Sequence, residues 1–213
     1  AYAVGQIIWD AQVLMDFDGF PSPSDLFYLL LGPCVAAGLL VEAFRLANRV
    51  QRKTLLLDAA ILGIAVTTLV LVLYLPKRGD MALLSLAVMV AYPASLLTAA
   101  AVGVVAAPTL RLKFSWSFWL FLVSLVVTGV CWMVWNAMAL DGVTLDGIWF
   151  NSLFSFSVMG MGMATLAWDI GVSRDPVWER RSEGILRMLP LTAVVLASIA
   201  VIWADRAGSS EAV

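Results

Sequence analysis

The sequence predicts an all-α fold, a polytopic transmembrane bundle of about seven helices. Its 213 residues are 62% hydrophobic and 13% charged, with a mean hydropathy of +0.94. Soluble domains carry roughly 45–50% apolar and about 25% charged residues, so a soluble fold could not bury this much apolar surface. The apolar stretches are continuous over about 20 residues, the length a helix needs to cross a bilayer core. Strands of a membrane barrel would alternate over about ten residues instead.

Seven apolar runs give the elements, and turn-like segments rich in Gly, Pro and Asp separate them. The first run, span A over about residues 1–15, is short for a span, and we interpret it as a truncated helix. Ser24 before Asp25 predicts the N-cap of the second span. The six fuller spans cover about residues 25–47 (B), 55–75 (C), 81–107 (D), 116–140 (E), 147–170 (F) and 188–204 (G).

Charge predicts the orientation of these spans. The loops at 48–54, 108–115 and 171–187, with their flanks, hold most of the Lys and Arg residues, so the positive-inside rule places them in the cytoplasm. On the other side the only basic residues are Lys77, Arg78 and Arg206. Asp18 and Asp141 belong to acidic segments that we expect to face outward.

Composition also excludes several functions. The chain contains no histidine, which rules out haem ligation through imidazole, a histidine proton relay and a His-containing zinc site. Its three lysines avoid the middle of the spans, where a retinal Schiff base would require one. The net charge of −2 gives no basic face for nucleic acid. Cys34 and Cys131 are expected to be free, buried thiols. We therefore predict no metal, no cofactor and no enzymatic activity for this chain.

Polar residues near the outer ends of spans A, E and F predict a pocket that opens outward. Asp10 and Gln6 lie four residues apart and share one helical face. Trp9-Asp10-Ala11 ends span A as Trp135-Asn136-Ala137 ends span E, a weak parallel repeat. Aromatic walls, with Trp132 among them, suit a cationic head group. Interhelical hydrogen bonding is the alternative interpretation of the same polar residues. The candidate ligand-binding residues are Trp9, Asp10, Tyr28, Trp135, Asn136 and Trp149.

Tyr92 and Pro93 lie inside span D and form a candidate hinge. Proline removes a backbone hydrogen bond and kinks a helix, although membrane helices also tolerate such kinks without a functional reason. Both interpretations stay open from the sequence.

Acidic and basic residues at the cytoplasmic ends of the spans predict ion pairs. Glu42, Arg45 and Arg49 follow one helical face, and Asp58 lies at a similar depth. We expect these four side chains to form one cluster. A second pair is predicted between Asp169 and Arg174.

Part of the chain resembles a known class of membrane region. A tryptophan helix ending in Trp9-Asp10 is followed by Gly19-Phe-Pro-Ser-Pro-Ser-Asp-Leu-Phe-Tyr28 and Pro33, and later by Leu56-Leu57-Asp58-Ala59 and Tyr92-Pro93. This pattern is similar to the multi-pass N-terminal regions of bacterial cyclic di-GMP signalling proteins of the GGDEF and EAL type. The resemblance covers most of residues 9–168. It implies a sensory or anchoring module. In that class the catalytic domain lies in the cytoplasm after the last helix, and this chain contains neither the GGDEF motif nor the EAL motif of such a domain.

These observations predict a non-catalytic sensory or anchoring domain of a bacterial signalling protein, multi-pass in the inner membrane. The expected partners are the lipid bilayer, a small ligand at the outer face, and a second copy or a larger membrane assembly. An accessory structural subunit of a membrane complex is one alternative. A small transporter is the other, motivated by the repeat and by the proline in span D.

Overall fold

The computed structural model describes residues 1–17, 19–113, 115–143, 149–169, 171–173 and 175–210; at 190, 196, 200–201 and 203–210 it describes the backbone alone. This part of the chain is helical, with one short 3₁₀ segment at Leu75–Lys77 and one isolated β-bridge between Leu112 and Val172. The predicted all-α class is confirmed. The helices are α1 (Tyr2–Leu14), α2 (Pro23–Leu29), α3 (Leu31–Leu46), α4 (Arg49–Tyr74), α5 (Leu83–Thr109), α6 (Trp116–Leu140), α7 (Asn151–Leu166) and α8 (Pro176–Ser210).

Five helical stretches among the described residues are long and apolar enough to cross a membrane, which supports the predicted membrane protein. The helix α7 has 16 residues and α1 has 13, so both are shorter than a full span. The predicted ends of span F, at residues 147 and 170, lie outside the described residues. The five stretches are Pro23–Leu46, Arg49–Lys77, Leu83–Thr109, Trp116–Leu140 and Pro176–Ile199.

Capping residues, and not the apolar runs, decide where the helices begin. The N-cap of α2 is Ser22 and not the predicted Ser24, because Ser22 and Asp25 form a capping box. Asn48 accepts hydrogen bonds from the backbone of Val50 and Gln51, so α4 begins at Arg49, about two turns before the apolar run. Likewise α8 begins at Pro176, and most of the predicted loop 171–187 is helical. Hydropathy marks the stretch inside the bilayer, while the helix itself continues into the polar region.

The helix α5 is the centre of the bundle. It packs against α2, α3, α4, α6 and α8, and 67% of its most apolar stretch is buried, compared with 17% for Pro23–Leu46. Small residues allow this close approach. A Cβ placed on Gly32 of α3 would lie 2.7 Å from the backbone carbon of Ser95, and one on Gly63 of α4 would lie 2.9 Å from the Thr98 side chain. Contact between α5 and its neighbours therefore depends on glycine at these positions.

Contacts between loops agree with the predicted grouping of loops at the two ends of the bundle. At the predicted outer end, the Lys77 ammonium lies 2.5 Å from the Asp141 carboxylate. At the predicted inner end, the backbone N–H of Lys113 donates to the Gly171 carbonyl at 2.6 Å, and Arg111 pairs with Glu179. Each contact joins two loops that the charge distribution assigns to the same side.

The predicted inner-end ion pairs form only in part. Arg45 pairs with Glu42 at 3.1 Å, but among the described residues neither Arg49 nor Asp58 joins them. The single pair forms because Glu42 and Arg45 lie one turn apart on the same helix.

A second basic residue at this end has a capping role. The Arg52 guanidinium donates to the carbonyl groups of Phe44 and Ala47 and so satisfies the end of α3.

Asp169 lies 3.6 Å from Lys113, while its predicted partner Arg174 is outside the described residues.

The two cysteines are free, but only one of them is buried. Cys131 of α6 is 2% exposed, as predicted. Cys34 is exposed on α3, so the prediction of a buried thiol is wrong there. Hydropathy distinguishes bilayer from water, but it does not distinguish the lipid-facing side of a helix from the side that faces the bundle.

Candidate functional site

A network of polar and aromatic side chains lies at the predicted outer end, between α1, α2, α5 and α6. We call it the outer cluster and define it as Gln6, Asp10, Asp25, Tyr28, Tyr92 and Trp132. On its rim, the Gln6 amide donates to the Asp10 carboxylate at 3.0 Å, and the Tyr28 hydroxyl donates to the Gln6 carbonyl oxygen at 2.9 Å. Gln6 therefore joins an exposed acid on α1 to a half-buried phenol on α2.

Asp25 is the buried acid of the outer cluster and is 8% exposed. Its position as the third residue of α2 turns the side chain back toward the N-cap, where one carboxylate oxygen accepts the Ser22 backbone N–H at 2.5 Å. The other oxygen accepts the Tyr92 hydroxyl from α5. One carboxylate thus caps α2 and binds it to the central helix.

The Tyr92 ring continues this connection into α6. It stacks on the Trp132 indole, with 4.1 Å between ring centroids and 17° between the planes. The Trp132 indole also contacts Tyr28 at 6.3 Å and, on α7, Phe154 at 5.1 Å. A single indole therefore contacts aromatic rings from three other helices, α2, α5 and α7.

The structure brings together some of the predicted ligand-binding residues. Tyr28 and Trp135 both contact Trp132, the latter with 5.7 Å between centroids. Asp10 is exposed beside Gln6, and Trp9 is 45% exposed on the same helix. Trp149 is 75% exposed and has its ring contact with the adjacent Phe150. A role in ligand binding stays a prediction for all of these residues.

Asn136, one of the predicted ligand-binding residues, forms a hydrogen bond to α5. It is 2% exposed, and its amide donates to the Met89 carbonyl of α5 at 2.9 Å. In an α-helix that carbonyl would accept the N–H of residue 93, which is proline and has none. Asn136 therefore supplies the hydrogen bond that Pro93 removes. The helix α5 continues through Pro93, and a hinge at Tyr92 and Pro93 stays a prediction.

Sequence reasoning missed the roles of two buried residues in this region. Gln12 is 5% exposed and accepts the Ser24 backbone N–H at 3.2 Å, which docks α1 on the start of α2. The sequence indicates Asp25 only as an acid in the first turn of a helix. The spacing of Ser22 and Asp25 is that of a capping box and could have located this carboxylate. No sequence signal indicates that Tyr92 would reach it.

A second site is a cavity of about 350 Å³ at the predicted inner end, between α4, α5, α8 and the loop that carries the β-bridge. Two hydroxyl groups in its wall are buried: Ser182 is 1% exposed and Thr109 is 8% exposed. Neither side-chain oxygen has a hydrogen-bond partner within the described part of the chain. We call this space the inner cavity. Its lining is Leu46, Gln51, Pro108, Thr109, Leu110, Arg111, Val172, Ser182, Glu183 and Leu186.

Comparisons with known proteins gave no relative from which a function could be transferred. No protein-family model matches the chain, and no match was found among curated proteins or solved structures. The function therefore has to be argued from the geometry of the two sites.

Proposed function

We propose that this chain is a non-catalytic sensory and anchoring domain of a bacterial signalling protein, multi-pass in the inner membrane. The observation that carries the proposal is the contact of Asp25 with Tyr92, and of Tyr92 with Trp132. A buried acid, a phenol and an indole connect the start of α2 to α5 and α6. A change at the outer surface therefore has a direct physical path into the core of the bundle.

The rim of the outer cluster supplies a place where a ligand would act. The exposed Asp10 carboxylate attracts a small cationic group, and Trp9, which is also exposed on α1, offers an aromatic face at the same level of the bundle. A cation at Asp10 competes with the Gln6 amide for the same oxygen. Release of Gln6 also changes the hydrogen bond of Tyr28, whose ring contacts Trp132.

The path from the outer cluster to the other end of the bundle is α5 itself. This helix runs from Leu83 to Thr109. At its inner end the Thr109 carbonyl accepts the Gln51 side chain at 3.2 Å, and the following residues form the bridge to Val172. A displacement of α5 at Tyr92 would therefore reach the inner loops through one rigid element, provided that α5 has two arrangements which a ligand can bias.

The resemblance to the membrane regions of cyclic di-GMP signalling proteins favours a signalling role over an accessory structural subunit or a small transporter. That class places its sensory helices before a cytoplasmic catalytic domain. The repeat of Trp9-Asp10 and Trp135-Asn136 is the sequence feature that favours a transporter. This repeat carries less weight here because the Asn136 amide donates to the Met89 carbonyl of α5, whereas Asp10 is hydrogen-bonded to Gln6.

The test is a distance measurement between the two inner loops in liposomes. Spin labels at Lys113 and Ser173, each introduced through cysteine after Cys34 and Cys131 are replaced by serine, report this distance by dipolar broadening in continuous-wave electron paramagnetic resonance, which suits positions that a β-bridge holds close together. We expect Tyr92→Phe to change the distance distribution, because it removes the bond to Asp25 and leaves the ring stack on Trp132.

The matched control is Tyr74→Phe. The Tyr74 side chain is also buried, and its hydroxyl donates to the Met133 carbonyl at 2.9 Å, but it has no contact with Asp25. Tyr74→Phe should leave the distance distribution unchanged. An unchanged distribution in folded Tyr92→Phe, or equal changes in both variants, contradicts the proposed coupling.

A further inference from the structure

A groove of about 410 Å³ opens on the outside of the bundle between α4 and α5, apart from both sites described above. Ala60 and Ile64 in its wall are exposed, so it faces the lipid and not the core. Gly63 lets α5 come close, since a Cβ at that position would lie 2.9 Å from the Thr98 side chain. We call this space the α4 groove, and its lining is Ala60, Gly63, Ile64, Thr67, Thr68 and Thr98.

The α4 wall of this groove requires no hydrogen bond from an occupant. The Thr67 hydroxyl donates to the Gly63 carbonyl at 2.8 Å, and the Thr68 hydroxyl donates to the Ile64 carbonyl at 2.9 Å. Both polar groups are therefore satisfied within their own helix. An alkyl chain suits such a wall.

The groove lies at the depth of lipid acyl chains. The apolar run of α4 begins near Leu55, and residues 60–68 follow it by ~8–20 Å at a rise of ~1.5 Å per residue. Half of a bilayer core is ~15 Å thick. The groove therefore extends through the predicted inner leaflet and ends near the bilayer midplane.

Two basic side chains lie above the groove on the same face of α4. At ~100° per residue, positions 49, 53, 56, 60, 64 and 67 fall within ~80° of one another and form one stripe along the helix. Arg49 and Lys53 are exposed at the head of this stripe, just before the apolar run. Leu56, which is 46% exposed, lies between them and the groove. Charge and groove thus form one continuous surface.

The charges of Arg49 and Lys53 are not balanced by acids of α3 or α4. Their side chains form no ion pair or hydrogen bond with any residue that the structure describes. Asp58 follows Arg49 by nine positions and therefore lies ~180° around α4. On α3, Glu42 is already paired with Arg45.

The acid of α8 at this end lies on another side of α4. Glu183 lines the inner cavity together with Gln51. Gln51 is ~160° around α4 from both Arg49 and Lys53, so the inner cavity adjoins the opposite side of the helix. The stripe therefore presents two unbalanced positive charges at head-group level and an apolar groove below them.

We propose that this stripe binds an anionic phospholipid of the inner leaflet, with its phosphate at Arg49 and Lys53 and one acyl chain in the α4 groove. Charge complementarity decides the class of lipid, because basic side chains next to a membrane attract anionic head groups. The groove decides that the occupant is a lipid and not a free phosphate, which has no chain to place there.

The first test measures the role of charge. Phosphatidylglycerol or phosphatidylcholine with the same acyl chains is titrated against the purified chain in detergent micelles, and native mass spectrometry gives the apparent dissociation constant of the first bound lipid. We expect phosphatidylglycerol to bind roughly thirtyfold more tightly, because each basic residue at a membrane surface contributes roughly fivefold. Joint replacement Arg49→Gln and Lys53→Gln should bring the two constants to about parity.

The matched control for charge is the joint replacement Arg180→Gln and Arg181→Gln. It also removes two exposed basic residues from the predicted inner end, but on α8, and should leave the preference for phosphatidylglycerol intact.

The second test measures the role of the groove. Ala60→Phe places a large side chain in it and should weaken the binding of phosphatidylglycerol. Ile61→Phe is the matched control, since Ile61 is the next residue on α4, is 47% exposed and does not line the groove. Glycerol phosphate, a head group without acyl chains, should not displace the lipid.

Each outcome decides the proposal. Loss of the preference in the Arg49 and Lys53 variant, together with weaker binding in Ala60→Phe alone of the two phenylalanine variants, supports it. A preference that survives that variant, or that both pairs of glutamine substitutions reduce equally, overturns it. Equal effects of the two phenylalanine variants, or displacement by glycerol phosphate, also overturn it. All of these substitutions are at exposed positions, and none involves Tyr92, so the result is independent of the proposed sensory coupling.

Discussion

Replacement of Asn136 by alanine should lower the free energy of unfolding much less when Pro93 is also replaced by alanine. Pro93 has no N–H for the Met89 carbonyl, and the Asn136 amide occupies that acceptor at 2.9 Å. Asn136→Ala leaves the carbonyl without a donor in a buried site. In Pro93→Ala the backbone N–H of residue 93 donates to Met89 instead, so the same carbonyl stays satisfied.

The expected coupling is about 1 kcal/mol. A buried polar group left unsatisfied costs ~1–3 kcal/mol in soluble proteins, and interhelical hydrogen bonds in membranes average about 0.6 and reach ~1.7 kcal/mol. Asn136 is 2% exposed, which favours the upper part of the membrane range. The cavity that alanine creates at position 136 is present in both backgrounds and therefore cancels from the difference.

The assay is a double-mutant cycle on the free energy of unfolding, measured by titration with sodium dodecyl sulfate in mixed micelles. Four proteins are compared: wild type, Asn136→Ala, Pro93→Ala and the double variant. The reasoning is refuted if Asn136→Ala costs the same in both backgrounds to within about 0.3 kcal/mol, the usual limit of additivity. A greater cost of Asn136→Ala in the alanine background refutes it equally.

Three further measurements test other contacts. Gly32→Ala should lower the free energy of unfolding by about 1–3 kcal/mol, because its Cβ meets the Ser95 backbone. Gly38→Ala, on the same helix with no atom within 4 Å of the added carbon, should leave the free energy of unfolding nearly unchanged. A similar loss in both variants would show that close packing is not the cause. Cys131→Leu should lower the free energy of unfolding by about 1–3 kcal/mol because Cys131 is buried in the bundle, whereas Cys34→Leu on the exposed side of α3 should leave it nearly unchanged; equal losses would contradict their different burial. In a chain without other cysteines, a membrane-impermeant thiol reagent should reach Asp141→Cys and not Arg52→Cys in intact cells; the reverse result would invert the topology.

The transmembrane architecture could be predicted because it depends on a property summed over many residues. Span E, 116–140, coincides with α6, since a long apolar run leaves little choice about its ends. Hydropathy places the starts of α4 and α8 too late, at 55 and 188 instead of Arg49 and Pro176. Those first turns contain charged residues, and hydropathy does not report a helix outside the bilayer.

The site was predictable only where its residues are local in sequence. Gln6 and Asp10 share a helical face, and their hydrogen bond follows from a spacing of four. Asp25 and Tyr92 are 67 positions apart, and their contact depends on how α2 docks on α5. The partner of Asn136 likewise depends on which carbonyl a proline on another helix leaves free. The rotation of each helix about its axis decides such contacts, and uniformly apolar spans carry little information about rotation.

The enclosure of α5 places two opposing demands on its composition. While the chain is being inserted, this helix must enter the bilayer, which favours large apolar side chains. Once folded, it is surrounded by other helices, which leaves space only for small ones. Residues 99–107 contain only Ala, Val and Gly, and this composition satisfies both demands. A substitution such as Ala99→Leu, at a position that is 0% exposed, should therefore improve membrane insertion while it weakens the folded bundle. Selection for expression level and selection for stability would then drive this helix in opposite directions.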